Sequence, residues 1–424
     1  MSGKSEKRPK NLQWRLEWLA HSFIEGIAAL LPGTWVFRFG EMIGGLAWHL
    51  MRTRRNITLR NLRIAFAGEK DLPALHKMGK ETFRRTGANL ISAAHTARLP
   101  ADQIASALRL DSFEPLRDAL AHGKGVVLLL GHMGNWELLS RMLLLFPAGT
   151  IIGAFYRPLN NPLLDARVLK RRQADGTQMF SKRDNPLRVA AFLREGGVAG
   201  ILADQRAGWQ GQLVPFFGRL TRVSPLPSLL ARRSKAEVLA MSVICEAPGK
   251  WLVTYQPIPQ PHDTTRCMHA LETAMRASPL DVFWLQERWK VFARPHRPIS
   301  DWLGSDGQTG EKPHRALFWL ADSTTPHKIP ETWLHPDVIY EIALQTHAAT
   351  PDWLPSTAKI HRIPSASLRK AVASIDTATA LPLDFILTHG PHPALTRAAA
   401  TLSIPVICLP ATAAPTQVSA SQKP

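Results

Sequence analysis

Short apolar runs and longer amphipathic stretches follow one another through the middle of the chain. The apolar runs predict strands at residues 126–130, 150–155, 198–202 and 238–244. The amphipathic stretches predict helices at residues 81–97, 113–122, 136–145, 163–173, 186–195 and 227–234. Strands that alternate with helices are typical of α/β proteins. We therefore expect an α/β fold in which a mixed sheet is flanked by helices.

The part of the chain after residue 313 repeats this pattern on a smaller scale. Strands are predicted at residues 315–320, 358–363, 383–387 and 406–409, and helices at residues 336–347, 367–375 and 393–402. This order is typical of one half of a doubly wound α/β fold. The predicted domains are residues 1–55, 56–294 and 314–410, with a linker rich in Pro and Gly at 295–313 and a disordered tail at 411–424.

The tract from residue 18 to residue 51 is apolar but interrupted by charged residues and a proline. No uninterrupted run approaches the roughly 20 apolar residues that span a bilayer, and no short apolar core precedes a cleavage site. We expect two amphipathic helices, 16–31 and 34–51, that lie on a membrane surface behind a basic tail. The arginines that would contact lipid headgroups are Arg52, Arg54, Arg55, Arg60 and Arg63. The alternative is that both helices belong to the core of a soluble domain.

The first predicted strand leads directly into a group of polar residues. Gly131 ends the strand, and His132 follows it at the strand's carboxyl end. Asn135 is suited to cap a helix that begins at residue 136, and Glu137 then lies in the first turn of that helix. A carboxylate on one imidazole nitrogen would fix the tautomer, so that the other nitrogen could accept a proton. The pattern predicts His132 as a general base and Glu137 as the residue that orients it.

The spacing of His and an acidic residue five positions later occurs elsewhere, at His76, His296 and His347. His76 lies in a charged helical pattern, and the other two are flanked by prolines that favour loops. Only His132 leaves an apolar strand through a glycine.

Further polar residues follow the other predicted strands, where the sites of open α/β sheets collect. Arg157 could bind a phosphate, or alternatively pair with a surface carboxylate. Asp204 and Gln205 close the third strand and offer a carboxylate and an amide at the same edge. Phe217 and Gly218 end an apolar segment that could line a groove for a hydrocarbon chain, or alternatively form a core turn.

The net charge of the chain indicates which kinds of molecule it can bind. The chain carries 52 Lys and Arg against 33 Asp and Glu, a formal charge of +19. Such a charge attracts anionic lipid, phosphorylated substrates or nucleic acid, but no basic patch with interleaved stacking aromatics favours nucleic acid. The three cysteines, Cys245, Cys267 and Cys408, show neither a disulfide framework nor a metal-ligand spacing. We expect a reducing compartment and no metal or cofactor.

The motifs of residues 18–294 resemble the bacterial lipid A biosynthesis acyltransferases, the late acyltransferases that add secondary acyl chains to lipopolysaccharide precursors. The resemblance rests on residues 60–66, 131–137, 156–162, 203–205 with 214–218, and 283–290, in that order. It implies that His132 and Glu137 are catalytic and that Arg157 binds the acceptor. The implied reaction moves an acyl chain from acyl carrier protein or coenzyme A to a hydroxyl of a phosphorylated glycolipid, at the cytoplasmic face of the inner membrane.

Residues 384–407 faintly resemble the end of the heptosyltransferase-type glycosyltransferases. One half of that architecture should not transfer sugar by itself. Two alternatives to acyl transfer nevertheless stay open: glycosyl transfer centred on the C-terminal half, and a catalytically idle lipid-binding protein at the membrane.

Overall fold

The computed structural model describes residues 11–111, 113–181, 184–208, 210–290, 298–304, 309–321, 328–352, 358–363 and 367–409. The chain divides into two units. The first consists of Met1–Met51, Lys77–Ala207 and Val223–Phe283, and the second of Arg52–His76, Gly208–Arg222 and Trp284–Pro424. Parts of three predicted segments lie outside the described residues. These are residues 1–10 of the basic tail, the tail 411–424, and most of residues 291–308 in and before the linker.

These units do not follow the predicted boundaries. Three stretches of the predicted acyltransferase domain, residues 52–76, 208–222 and 284–294, belong to the same unit as the C-terminal sheet. Buried ion pairs account for part of this grouping, because Arg63 binds Asp376 and Arg219 binds Asp384 across more than 150 positions of the chain. Sequence patterns carry no signal for pairs this distant.

Helices of the first unit surround its sheet. Their bounds are α1 Asn11–Leu30, α2 Gly33–Leu50, α4 Leu72–Thr96, α5 Ile104–Ala107, α6 Glu114–Ala121, α7 Pro162–Arg172, α8 Pro186–Arg194, α9 Leu226–Ser234 and α10 Thr264–Arg276. Helix α3 Arg52–Phe66 and the first residues of α4 belong to the second unit. Two 3₁₀ helices cover Ala101–Gln103 and Trp136–Leu145. The predicted helices of this region are confirmed to within a few residues at their ends, except that 81–97 begins earlier and 136–145 is a 3₁₀ helix.

The sheet of the first unit has seven strands. They are β1 Leu108–Asp111, β2 Val126–Leu130, β3 Ile152–Tyr156, β4 Gln178–Ser181, β5 Val198–Leu202, β8 Glu237–Ala247 and β9 Lys250–Pro257, in the order β1-β9-β8-β2-β5-β3-β4. β9 runs antiparallel to β8, whereas β2 is parallel to both of its neighbours. All five residues of β2 are buried, as expected of a strand covered on both faces. The predicted mixed α/β sheet is confirmed.

The second unit contains a parallel sheet of five strands. These are β10 His314–Trp319, β11 Val338–Gln345, β12 Lys359–Ile363, β13 Phe385–Thr388 and β14 Val406–Cys408, in the order β12-β11-β10-β13-β14. Helices α11 Ser300–Leu303, α12 Leu368–Thr377 and α13 Pro393–Ala400 and a 3₁₀ helix, Glu331–Trp333, complete it. The four predicted strands are confirmed. The predicted helix 336–347 is wrong, because β11 occupies most of it and pairs with strands on both sides.

The second unit also contains most of a hairpin, β6 Gln212–Phe216 and β7 Arg219–Val223. Its two-residue turn consists of Phe217 and Gly218, with φ angles of 53° and 75°. Positive φ angles at both central residues are characteristic of a type I′ turn, whose twist matches that of the two strands it joins.

α1 and α2 confirm the two helices predicted near the amino terminus. Both carry large apolar side chains that face solvent, among them Leu12, Leu16, Leu19, Phe23, Ile27 and Leu30 on α1 and Trp35, Phe39, Met42, Leu46 and Leu50 on α2. Among the residues that the structure describes, none of the helices combines the length and apolar character needed to cross a bilayer.

At least three of the five predicted headgroup arginines have protein partners, and one of them, the exposed Arg54, donates to the carbonyl of Leu285 at 3.1 Å. Arg63 is buried and donates to the carboxylate of Asp376, and Arg60 donates to the carbonyl of Leu383 and to Asp384. The expectation that these two arginines face lipid is therefore wrong, because they neutralise carboxylates inside the second unit.

Candidate active site

The loop after β2 is held tightly to its neighbours. The carbonyl of His132 accepts from the N–H of Phe283 at 2.8 Å, and the N–H of Gly134 donates to the carbonyl of Asp281 at 3.0 Å. Gly134 has a φ of +57°, and a Cβ at this position would lie 2.6 Å from Val243. The loop therefore needs glycine here, and its backbone fixes the direction of the His132 side chain.

His132 is oriented by Asp204. Its Nδ1 lies 2.7 Å from Oδ1 of Asp204, whose side chain is only 1% exposed. The pairing of the strands explains this contact: Leu130 of β2 lies opposite Leu202 of β5, so the residues two positions later reach the same edge together. A proton on Nδ1 then leaves the lone pair of Nε2 free to act as a base.

The other ring nitrogen faces the opening of the site. The side-chain amide of Gln205 lies 3.3 Å from Nε2 of His132, and the His132 side chain is 15% exposed. The ring of Trp136 meets the imidazole edge-on, with 5.4 Å between ring centroids. The predicted edge site thus brings His132, Asp204 and Gln205 together.

The predicted contact between Glu137 and His132 is wrong. Glu137 instead accepts two hydrogen bonds from Arg172 at the end of α7, at 3.0 Å from Nε and 2.6 Å from Nη2. The only signal for this arginine in the sequence is a basic run at the end of a predicted helix. Glu137 still acts on His132 through space, because its charge raises the pKa of the imidazole.

The predicted helix cap at Asn135 is also wrong. Its side chain is buried and donates to the hydroxyl of Thr96 at 3.0 Å, with no capping hydrogen bond to the 3₁₀ helix that follows. Asn135 therefore connects the loop after β2 to the end of α4.

Opposing effects act on the pKa of His132. Burial alone would lower it, but the charge and hydrogen bond of Asp204, with a smaller contribution from Glu137, raise it above the ordinary value. Arg172 partly offsets this increase. The surroundings of His132 thus stabilise the imidazolium, the form that arises when His132 takes a proton from a hydroxyl.

The remaining predicted site residues have other surroundings. Arg157 follows β3 with an exposed side chain. Phe217 is fully buried in the second unit, where its ring contacts Phe66, Trp284 and Trp289, and Gly218 accepts from the N–H of Lys312 at 2.8 Å. A ring packed on this many sides offers no face to a ligand, so Phe217 and Gly218 form a core turn and not a hydrocarbon groove.

A narrow apolar cleft adjoins Glu137 in the first unit. It lies between the 3₁₀ helix Trp136–Leu145 and the sheet, and its volume is about 90 Å³. Its apolar walls are formed by Leu128, Leu130, Trp136, Leu139, Met142, Ile152, Ala154, Phe155, Met179 and Leu202. Arg172 and Glu137 are at its polar end. Apolar walls with a few polar groups are typical of sites that bind small hydrophobic ligands.

A histidine base with an orienting carboxylate, beside an apolar cleft, is the arrangement of an enzyme that activates a hydroxyl or a water molecule. Comparisons with known proteins define the class further. A model of the bacterial lipid A biosynthesis acyltransferase family matches residues 3–291, and the chain belongs to that family. It is therefore an acyltransferase of lipid A biosynthesis.

Individual relatives agree with this assignment at modest identity. The chain is 26% identical to the lipid A biosynthesis lauroyltransferase of Escherichia coli K12 over 286 residues, which is 65% of this chain and 92% of the relative. It is 23% identical over 272 residues to the lipid A biosynthesis palmitoleoyltransferase of the same strain and to a lipid A biosynthesis acyltransferase of Shigella flexneri, covering 62% of this chain and 85% of each relative. The family match ends at residue 291, before the C-terminal sheet begins at His314.

Proposed function

We propose that the protein transfers a fatty acyl chain from a thioester donor to a hydroxyl of a phosphorylated glycolipid, such as a lipid A precursor. The observation that carries this proposal is the hydrogen bond from His132 Nδ1 to Asp204, which leaves Nε2 as the base at the opening of the site. No metal and no cofactor beyond the acyl donor enters the proposed reaction.

His132 moves one proton in the proposed mechanism. The acceptor hydroxyl gives its proton to Nε2 while its oxygen bonds to the thioester carbonyl carbon. The tetrahedral intermediate then collapses, the C–S bond breaks, and the leaving sulfur takes the proton from the imidazolium. Because a thiol has an ordinary pKa of about 8.5, it leaves with little assistance from an acid.

Asp204 and the start of the 3₁₀ helix have separate parts in this mechanism. Asp204 holds the tautomer of His132 and stabilises the imidazolium. The N–H groups of Trp136 and Glu137 open a helix, where backbone donors lack acceptors within the helix, and are suited to stabilise the oxyanion. The ion pair between Glu137 and Arg172 fixes the first turn of this helix against α7.

The apolar cleft is proposed to receive the acyl chain. Its present volume of about 90 Å³ is well below the roughly 300–1,000 Å³ of typical ligand pockets. The cleft therefore holds only the part of the chain next to the carbonyl, unless Leu139 and Met142 move aside. Arg157, exposed beyond β3, is proposed to bind an acceptor phosphate.

The proposed location is the cytoplasmic face of the inner membrane. The solvent-facing apolar side chains of α1 and α2 form a surface suited to insert into one face of a bilayer without crossing it. A surface position would bring the site to lipid-embedded acceptors while a soluble donor, acyl carrier protein or coenzyme A, approaches from the aqueous side.

The test is an acyl transfer assay with purified protein and a lipid A precursor. Acyl carrier protein and coenzyme A thioesters of several chain lengths are supplied in parallel, and mass spectrometry of the glycolipid identifies the product. We expect a mass increase of one acyl group with at least one donor. A nucleotide-sugar hydrolysis assay on the same preparation tests the glycosyltransferase alternative.

The outcomes separate the three functions. Acylated product that disappears in His132→Ala supports the proposal. Sugar release without acyl transfer would assign the activity to the C-terminal sheet, and lipid binding with neither reaction would make the protein catalytically idle.

A further inference from the structure

A second pocket in the first unit has a composition different from that of the acyl cleft. It is an open groove of about 670 Å³ between the α1–α2 turn, the end of α4, the segment that follows α4, and the β8–β9 turn. We call it the cationic groove; the residues that matter for its charge are His95, Arg98 and Lys250, and those of its apolar border are Leu30, Leu31 and Pro32. It lies at the carboxyl end of β8.

The groove presents hydrogen-bond donors without carboxylates. Arg98 and Lys250 are exposed, and Gln103 and Ser106 add neutral polar groups. None of the described residues that line the groove is Asp or Glu. The acidic side chains closest in sequence, Asp102 and Glu246, are outside the lining, and Glu246 is paired with Arg109. The charge of the groove therefore complements an anion.

His95 is fixed in position at the groove. Its Nδ1 lies 2.8 Å from the carbonyl of Ala28 on α1, so Nδ1 donates this bond. Nε2 faces the start of α2, 3.2 Å from where a Cβ on Gly33 would lie. This ring can accept a hydrogen bond from a neutral hydroxyl and, when protonated, can donate one to an anion.

The border of the groove is apolar. Leu30 is 86% exposed and Leu31 is also exposed, and both continue the solvent-facing apolar side chains of α1. A cationic pocket directly beside an exposed apolar surface matches the arrangement of a phospholipid, in which the phosphate lies just above the acyl chains.

We propose that the cationic groove binds the phosphate headgroup of an anionic membrane phospholipid. This inference rests on the proposed membrane location and adds a specific lipid contact to it. The bound headgroup would fix the turn between α1 and α2 at the depth of the lipid phosphates. Apolar side chains on both sides of the turn would then enter the acyl region.

The experiment measures the partitioning of the full-length protein onto vesicles without any acyl donor, so it does not depend on catalysis. Vesicles of phosphatidylglycerol mixed with phosphatidylcholine are compared with vesicles of phosphatidylcholine alone. The test variant carries Arg98→Gln and Lys250→Gln. The matched control carries Arg232→Gln and Arg233→Gln, which remove the same charge near the opposite end of β8, about 33 Å away along an eleven-residue strand.

The groove variant should bind phosphatidylglycerol vesicles at least tenfold more weakly, since each basic residue near an anionic surface contributes roughly a fivefold gain in partitioning. The control should change less than twofold, and binding of both variants to phosphatidylcholine vesicles should match that of the original protein. Equal losses in the two variants would overturn the proposal, because the effect would then be one of net charge.

A second arm distinguishes a membrane lipid from a free phosphate ester. Glycerol 3-phosphate is titrated into the protein by calorimetry. Weak or no binding at millimolar concentration, together with the vesicle result, supports a bilayer headgroup. Tight binding of glycerol 3-phosphate that Arg98→Gln with Lys250→Gln abolishes, with vesicle binding unchanged, would assign the groove to a soluble ligand and overturn the proposal.

Discussion

Two His–Asp pairs lie in different units and have opposite surroundings. His132 binds Asp204 at 2.7 Å with 15% of its side chain exposed, whereas His314 lies 3.3 Å from Asp384 and is 1% exposed. Asp384 also accepts from Arg219, Arg60 and the N–H of Arg315. The first pair keeps one ring nitrogen at an opening, and the second is enclosed by further charges. Access from solvent, not residue type, separates the pair at the edge of the first sheet from the enclosed pair.

The surroundings of Asp384 also set its titration. Burial alone would raise the pKa of this carboxyl, but Arg219, His314 and Arg60 hold it well below its ordinary value. A depressed pKa in the folded state stabilises the protein above the pKa of the unfolded chain, about 3.9, and this contribution is lost as the pH falls further. The raised pKa of His132 has the opposite effect: its contribution to stability is present at low pH and is lost as the pH rises through this pKa.

The largest expected effect comes from removing the C-terminal sheet. A chain ending at Asp301 loses the partners of Arg63 and Arg219, and each buried charge left unpaired costs about 3–5 kcal/mol. We expect the truncated protein to aggregate, as measured by gel filtration in detergent. A chain ending at Leu409 is the control and should stay monodisperse. A monodisperse 1–301 protein with full acyl transfer would show instead that the predicted domain boundary is functional.

The next prediction concerns the pair at the edge of the first sheet. His132→Ala should lower turnover by about 10²–10⁴, the usual contribution of a positioned base. The variant should still fold, but its urea unfolding midpoint should fall, because Asp204 is left buried without its hydrogen-bond partner. His76→Ala is the matched control, because His76 has the same spacing to an acidic residue but lies on the surface of α4. Equal activity of the two variants would remove His132 from the mechanism.

The sequence predicted the base but not its partner. The strand, the glycine and His132 follow one another in the chain, so local pattern was sufficient to find them. Asp204 is 72 positions away, and its contact depends on β2 pairing with β5. Proximity in sequence favoured Glu137, whose carboxylate is taken by Arg172. Patterns find the ends of strands, but the order of strands in the sheet decides which ends meet.

The same limit applies to the domains. Apolar periodicity located strands β10, β12, β13 and β14 correctly, but it assigned β11 to a helix. It could not show that Arg60, Arg63 and Arg219 pair with carboxylates of the C-terminal sheet. A linker rich in Pro and Gly was therefore interpreted as a boundary between independent domains, although segments on both sides of it belong to one unit.

The enclosed pair should respond in stability and not in chemistry. Asp384→Asn leaves Arg219 buried without a counter-charge, so the free energy of unfolding should fall by about 3–5 kcal/mol. Urea denaturation at pH 7 measures this loss. Glu246→Gln is the control, because its pair with Arg109 is exposed and solvent screening leaves such pairs little effect on stability. A loss of similar size in both variants would contradict the distinction between buried and exposed pairs drawn here.

The smallest effect is a shift of the pH profile, and it ranks the two carboxylates near His132. In the proposed mechanism, acyl transfer requires neutral His132, so the rate should rise with pH through the raised pKa of the imidazole. Asp204→Asn removes both a charge and a charged hydrogen bond, and the rise of the rate should therefore move clearly to lower pH. Glu137→Gln removes only a more distant charge, so the rise should move in the same direction by a smaller amount.

The maximal rate cannot rank the effects of Asp204 and Glu137 on His132, since either substitution can also disturb the geometry of the site. The pH at which the rate rises can rank them, because it reports the electrostatic effect of each carboxylate on the pKa of His132. The measurements are kcat/KM against pH, which reports the pKa of His132 in the free enzyme, and kcat against pH, which reports it in the substrate complex. Both are made on the original protein and the two variants, with Glu246→Gln as a distant control. A shift of the kcat profile that is larger in Glu137→Gln than in Asp204→Asn, with the opposite order in kcat/KM, would mean that Glu137 exchanges Arg172 for His132 when substrate binds. In that case the contact predicted from the sequence would form during catalysis and not in the ligand-free structure.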